Sequence, residues 1–280
     1  MEQPVRMIDG HVHFYDPDWP SGIVWPSVDQ SFFGKRLPQD YFAFGPLDGF
    51  DQVIAIETSE RPVDDERLRR LAEETPQIGG FVANLQPNQP GFADRVAAYS
   101  GSLKFKGVRL RPVEAFDLAS PALLGTLRIL SDYGLSIELG AKVPARLKDI
   151  AALAEALPDC AIVLTHAGHP RIDEPVPAQT WIDGIKAVGQ HANTFVKLTP
   201  LRAFAGSVAS ARLLEACRAH VAVLLRIFGA QRIIFGSNWP VSEALGTPNA
   251  HAEFVMRCLP PDPEYADWIF DNTARRIYRL

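Results

Sequence analysis

The chain has 280 residues, 47% apolar and 22% charged, the balance of a globular protein with a large core, which excludes a disordered polymer. A formal net charge of −5 leaves no basic excess to neutralise a phosphate backbone, so nucleic acid is not an expected partner. Cys160, Cys217 and Cys258 lie far apart in apolar segments, which argues against a disulfide framework and for a reducing compartment.

The start lacks a basic region followed by an apolar one, and Arg226 interrupts the apolar run from Val221 to Phe228. The expectation is a cytoplasmic protein with no membrane partner. Met7 to Phe14 reads as the first strand. Strict alternation puts Asp9, His11 and His13 on one face and Ile8, Val12 and Phe14 on the other. Two imidazoles then point the same way, a pair suited to holding a divalent ion or sharing a catalytic proton; histidines with ordinary hydrogen bonds would leave the same tripeptide.

From Tyr15 to about Phe50 runs a segment rich in Pro, Gly and aromatics, among them Trp19, Trp25, Phe32 and Phe33. Its length fits either a lid over a site or a loop stapled to the surface. A strand and helix rhythm then begins. Apolar runs at Gln52 to Thr58, Ile78 to Leu85, Phe105 to Arg111, Leu135 to Gly140, Ala161 to His166, Thr194 to Thr199 and Arg232 to Asn238 read as strands. Between them, helical spacing appears over Asp64 to Glu74, Phe92 to Tyr99, Ala145 to Leu157, about Thr180 to Gln190 and Val208 to Phe228. A further helix has Ser120 as its cap, Pro121 in its first turn and Gly134 just past its end, and Glu253 to Tyr278 is again helical.

Eight short strands, each followed by a helical segment, predict an α/β fold, a (β/α)8 TIM barrel in a single domain over residues 1–280. No Gly-x-Gly-x-x-Gly or Walker-type loop follows any strand, which weakens a nucleotide-binding reading. In such a barrel the site lies at the carboxyl ends of the strands. The polar residues there are His11, His13, Glu57, Arg109, Arg111, Glu138, His166, Lys197 and Asn238. A buried charge without a partner costs several kcal/mol, so a cluster of ionisable groups at one rim is best explained as a site. Glu138 and Lys197 are the members best suited to being structural partners, and His169, His191, His220 and His251 read as structural.

His11-x-His13, Phe105-Lys-Gly-Val-Arg-Leu110, Val163-Leu-Thr-His-Ala-Gly-His-Pro170, Phe195-Val-Lys-Leu-Thr-Pro-Leu201, Ile234-Phe-Gly-Ser-Asn-Trp-Pro-Val241 and the closing Asn272-Thr-Ala-Arg-Arg-Ile-Tyr278 fall in order along nearly the whole chain. In this the chain resembles the amidohydrolase-related family that includes sugar-acid lactonases and 2-pyrone-4,6-dicarboxylate lactonase. The resemblance implies a hydrolase that opens a lactone of a sugar acid or small carboxylated acid by water attack. It implies that His11, His13 and His166 surround the reacting carbonyl and that Arg109 or Arg111 holds a carboxylate or polarises the carbonyl; by their own chemistry Glu57 and Asn238 join the catalytic set, and Lys197 serves as a cation near the developing oxyanion. The cofactor is none or one divalent ion, zinc or manganese, held by His11, His13 and His166 with water as a fourth ligand.

Two positions depart from the family. The eighth strand of its members usually ends in aspartate, where this chain has Asn238, and an amide cannot take a proton from water. Metal-dependent members of the wider superfamily carry a histidine on the fifth strand, where this chain has Glu138. Asn238 then orients water while Glu57, Glu138 or a histidine takes the proton, or a metal-bound water needs no base, or lactone hydrolysis has been lost. The alternatives in function are a metal-dependent decarboxylase of an aromatic or unsaturated carboxylic acid and a catalytically impaired small-molecule-binding barrel. A homodimer is compatible with the aromatic loops.

Overall fold

Eight apolar runs become eight parallel strands: β1 (Met7–Val12), β2 (Phe50–Ile56), β3 (Ile78–Ala83), β4 (Phe105–Arg109), β5 (Ser136–Leu139), β6 (Ala161–Leu164), β7 (Thr194–Leu198) and β8 (Ile233–Phe235), hydrogen-bonded in that order. The computed structural model describes residues 6–44, 50–172, 176–205 and 210–280. Every strand is followed by a helical layer. The helices are α1 (Pro38–Phe42), α2 (Pro62–Glu74), α3 (Phe92–Tyr99), α4 (Pro121–Leu127), α5 (Ile129–Asp132), α6 (Ala145–Ala156), α7 (Gln179–Gly189), α8 (Ser210–Phe228), α9 (Pro248–Cys258), α10 (Pro263–Asp267) and α11 (Thr273–Tyr278). Among the described residues no helix is long and apolar enough to cross a membrane.

The cylinder closes just past β8, where Asn238 N donates to His11 O and His13 N donates to Trp239 O, both at 2.9 Å. Closure needs a glycine on β1. A Cβ on Gly10 would lie 2.5 Å from Ile234 Cγ2 and 2.8 Å from the Phe235 carbonyl oxygen, so only a residue without a side chain lets the first and last strands meet. Buried apolar residues divide into two sets. The larger, with Val12, Val53, Ala55, Phe81, Val108 and Leu139, packs the sheet against the helices. The smaller, Ile8, Ile54, Ile56, Val82 and Ile234, fills the barrel floor with Ala274 and Tyr278 of α11. Strands buried on both faces read as continuous apolar runs, and for that reason they were visible in the sequence.

Strict alternation does not hold in β1. Asp9 pairs with Val53 and Val12 with Ala55, so three steps on β1 oppose two on β2, which is the signature of a bulge. Asp9 and Val12 therefore share the outward face, Ile8 points into the floor, and only His11 and His13 turn toward the barrel mouth. Asp9 is spent on structure: Oδ1 accepts from Ser237 N at 2.8 Å and His11 N at 3.1 Å, and Oδ2 accepts from the Tyr41 hydroxyl at 2.8 Å. Expected Ser120 occupies the N-cap of α4, but its side chain makes no cap hydrogen bond. The expected carboxyl-terminal helix is cut after α9, with Leu259, Pro260 and Pro261 outside any helix, because proline lacks the N–H that helical continuity requires, while a π-helical turn at Trp268–Asn272 joins α10 to α11.

The segment after β1 is folded back over the mouth. Tyr15 pairs with Arg36 and donates its hydroxyl to Phe32 O at 2.7 Å, and Arg36 forks onto Glu243 beyond β8. Arg61 of the β2 to α2 turn donates to Ser21 O and Gly22 O at 3.0 and 2.9 Å. Trp25 is braced between Tyr15 and Phe32, with ring centres 5.7 and 5.5 Å away, and its edge meets His13 at 5.1 Å. Residues 45–49 of the expected lid lie outside the described residues.

Candidate active site

His11 and His13 leave the end of β1 beside the bulge, and His166 leaves the end of β6 in a left-handed turn. The φ angles of His166, Ala167, Gly168 and His169 are 56°, 50°, 68° and 52°. Such a conformation costs roughly 1–2 kcal/mol for each residue with a Cβ, so it persists only where its surroundings enforce it. They do so here. Trp181 Nε1 donates to Ala167 O at 2.9 Å, His169 N donates to His166 O at 2.8 Å, and Gly168 sits against Leu147, Ile185 and Leu164.

The turn swings His166 across to β1: the His11 ring lies 4.8 Å from that of His166 and 5.0 Å from that of His13. Their hydrogen bonds differ. His13 Nδ1 faces two acceptors, Ile56 O and Glu57 O, each at 3.1 Å, so it carries the hydrogen and Nε2 keeps its lone pair. His166 Nδ1 pairs with Thr199 Oγ1 at 2.9 Å, and neither ring nitrogen of His11 has a protein partner. Burial holds all three well below the usual imidazole range; Lys197 adds to the effect at His11, and Arg109 at His13 and His166. They are neutral near pH 7.

Arg109 and Arg111, one residue apart on β4 and just beyond it, converge on Glu57 at the end of β2. Arg109 Nη1 is 3.3 Å from Glu57 Oε1, Arg111 Nη2 is 3.1 Å from Oε2, and Asn84 Nδ2 donates to Oε2 at 3.3 Å. Two guanidiniums against one carboxylate leave a net single positive charge facing the imidazoles. His13, Trp25, Glu57, Arg109, Arg111, His166, Asn238 and Val241 line an inner cavity of about 150 Å³. Asn238 has a φ of 57°, a left-handed position that asparagine tolerates better than most residues. The structure thus brings together His11, His13, His166, Glu57, Arg109, Arg111 and Asn238.

Lys197 is not among them. Its ammonium is fully buried and donates to both Glu138 oxygens at 2.8 and 2.6 Å, while the Tyr278 hydroxyl donates to Oε1 at 2.6 Å. Burial, opposed by the Glu138 charge, pushes Lys197 down to about 8. It lines neither cavity at the mouth and is paired with Glu138 in the barrel interior. The residues of the expected metal triad do come together: the rings of His13 and His166 lie 5.0 and 4.8 Å from that of His11, whose two buried nitrogens have no protein partner, so these three imidazoles would hold a divalent ion if one binds.

Trp25, one of the aromatics of the expected lid, roofs the inner cavity, and His169, taken as structural, lines the chamber outside it and packs edge-on against His166 at 5.0 Å. The one available signal for His169 was its place three residues after His166. His220 and His251 are structural as expected, bonded to Ala216 O and Ser242 O.

These histidines make stability depend on pH in a stated direction. Burial holds His11, His13 and His166 well below 6.5, His169 at about 4, and lowers His220 and His251. The unfolded chain takes up protons below about 6.5 and the folded chain resists, so stability is full above that value and falls as pH drops toward the folded-state values. Each such imidazole contributes a slope of about 1.4 kcal/mol per pH unit. Urea midpoints are expected to fall by more than a single proton's worth between about pH 6.5 and about pH 5; an unchanged midpoint contradicts neutral burial.

Comparison with known proteins agrees with this architecture. The amidohydrolase family model, Amidohydro_2, matches residues 8–280. An L-fucono-1,5-lactonase from Burkholderia ambifaria is 23% identical over 283 residues, covering 98% of this chain and 95% of that protein. A crystal structure of an amidohydrolase from Burkholderia multivorans with bound zinc superposes with a TM-score of 0.83 at 23% identity, covering 98% of this chain and 99% of that one. A Pseudomonas putida structure named for 2-pyrone-4,6-dicarboxylic acid hydrolysis gives 0.78 at 20% identity, covering 98% of each chain. At these identities the structural likeness is one of fold, and the match along residues 8–280 carries the assignment. The chain belongs to the amidohydrolase family, as a hydrolase built on a (β/α)8 barrel.

Proposed function

We propose that this protein hydrolyses a lactone of a sugar acid or small carboxylated acid. The observation that carries the reading is the meeting of the neutral imidazoles of His13 and His166, with that of His11 packed against both, and the singly positive Glu57, Arg109 and Arg111 group at one small cavity. The full-length similarity to a lactonase supports the same class of substrate.

The residues divide the work by their chemistry. Arg109, the more enclosed guanidinium, draws negative charge onto the carbonyl oxygen and holds it in the tetrahedral intermediate. Glu57 has its oxygens engaged by two arginines and Asn84, and Glu138 is fully buried against Lys197 and Tyr278 and lines neither cavity, so neither is placed to take a proton from water. An imidazole remains. His13, with Nδ1–H tied to two carbonyls, offers the lone pair of Nε2: it takes a proton as the water oxygen bonds to the carbonyl carbon. As the ring C–O bond breaks, the imidazolium returns that proton to the leaving oxygen. The nearby guanidiniums make this imidazolium a strong acid, which favours the return step. Asn238 orients the water by hydrogen bonding.

Proton release over a panel of aldonolactones and carboxylated lactones, measured with and without added zinc or manganese, tests the reading. Turnover by the wild type is the expected result. No turnover by the wild type with turnover by Asn238→Asp assigns the chain to a lost activity, and carbon dioxide release from an aromatic acid assigns it to the decarboxylases; either result overturns the proposal.

A further inference from the structure

The inner cavity is small. At about 30 Å³ per water, its volume of about 150 Å³ holds about five waters, or one lactone ring. It does not stand alone. Trp25, Arg109, Arg111 and His166 also border an outer chamber of about 610 Å³, in the range of about 300–1,000 Å³ that takes ligands much larger than a single ring.

The walls of this chamber have a definite chemistry. Trp25 is a flat aromatic surface held rigid by Tyr15 and Phe32, at ring distances of 5.7 and 5.5 Å. Charges of both signs, Glu60 and Glu114 with Arg61, Arg109, Arg111 and Lys142, lie on the same lining, with Thr58 among the shorter polar groups. His169 adds a mostly buried imidazole whose Nδ1 has no protein partner. An aromatic plane with donors and acceptors of both signs around it suits a hydroxylated ring, whose C–H face stacks and whose hydroxyls both donate and accept.

Resting on the lactonase reading, we infer that the preferred substrate is a lactone carrying a second, sugar-like ring: the lactone enters the inner cavity and the second ring occupies the outer chamber against Trp25. The lactone ring is then the buried end of a longer molecule. Binding energy from the remote ring serves to place the carbonyl, so a single-ring substrate loses kcat/KM even though its reacting bond is the same.

The test compares D-glucono-1,5-lactone with cellobiono-1,5-lactone, the same lactone bearing a second glucose, by initial rate above spontaneous hydrolysis. The extended lactone is expected to show a kcat/KM higher by about tenfold or more. Lys142→Ala and Trp25→Ala are each expected to lower the ratio of the two values by several fold. Equal values, or a preference for the single ring, overturn this inference and leave the lactonase reading standing. Rates at background for both, together with no turnover across the wider lactone panel, remove the lactonase reading and this inference with it.

Discussion

Glu138→Ala is expected to destabilise the protein by about 3–5 kcal/mol, the usual cost of removing one partner from a fully buried ion pair. The reason is local. The Lys197 ammonium and the Glu138 carboxylate are both closed to solvent, and the Tyr278 hydroxyl spends its hydrogen on the same carboxylate. Without Glu138 the barrel interior holds either an uncompensated ammonium or a neutral amine with no acceptor, and α11 loses a bond that ties it beneath the floor. Pairing Glu138→Met with Lys197→Met removes both charges and is expected to recover most of the loss, because well-packed apolar side chains replace buried ion pairs at little cost. Urea denaturation with an unchanged m value measures both effects. A loss below about 1 kcal/mol in the single variant would place Glu138 in water rather than in the interior.

Arg109→Met is expected to reduce kcat by about 10²–10³-fold, the scale on which removal of one oxyanion donor is felt. Arg109 is the more enclosed of the two guanidiniums on Glu57, with 11% of its side chain exposed against 35% for Arg111. Its loss leaves Glu57 and Arg111 as a neutral pair, with no net positive charge for the developing oxyanion. The kinetic split is informative. A fall in kcat at constant KM assigns Arg109 to the carbonyl, whereas a rise in KM at constant kcat assigns it to a substrate carboxylate. Unchanged kcat and KM on a turned-over lactone would remove Arg109 from the site.

The barrel was legible because its strands are buried on both faces. Ile54 and Ile56 on β2, or Ile162 and Val163 on β6, have no solvent side, so the chain advertises them as unbroken apolar runs. The ends of those runs overstate the strands. Thr58, Arg111, His166 and Asn238 leave the ladder to reach the mouth, and a composition pattern does not register that departure. Polarity at strand ends picked out His11, His13, His166, Glu57, Arg109 and Arg111, which the fold gathers at the mouth, as it also picked out Glu138 and Lys197, which the fold pairs in the interior.

What the pattern missed depends on backbone irregularity or distant pairing. The bulge between Asp9 and Val12 moved Asp9 to the outer face, where period-two counting had placed it beside His11. The left-handed turn at His166 rests on the bond from Trp181 of α7 to Ala167 O, fourteen residues apart. Lys197 and Glu138 were singled out in the sequence as structural partners, and the folded chain pairs them with each other across 59 residues. Trp25 lies in an irregular segment where no periodicity exists to give it a direction.

A crystal structure of the wild type with the hydroxy acid released from a turned-over lactone bears most directly on the meeting of β1, β6 and β4 at one reaction centre. The expected density places the new carboxylate against Arg109 in the inner cavity, within reach of the imidazoles of His13 and His166. A carboxylate bound elsewhere, with those imidazoles and Arg109 untouched, would contradict it.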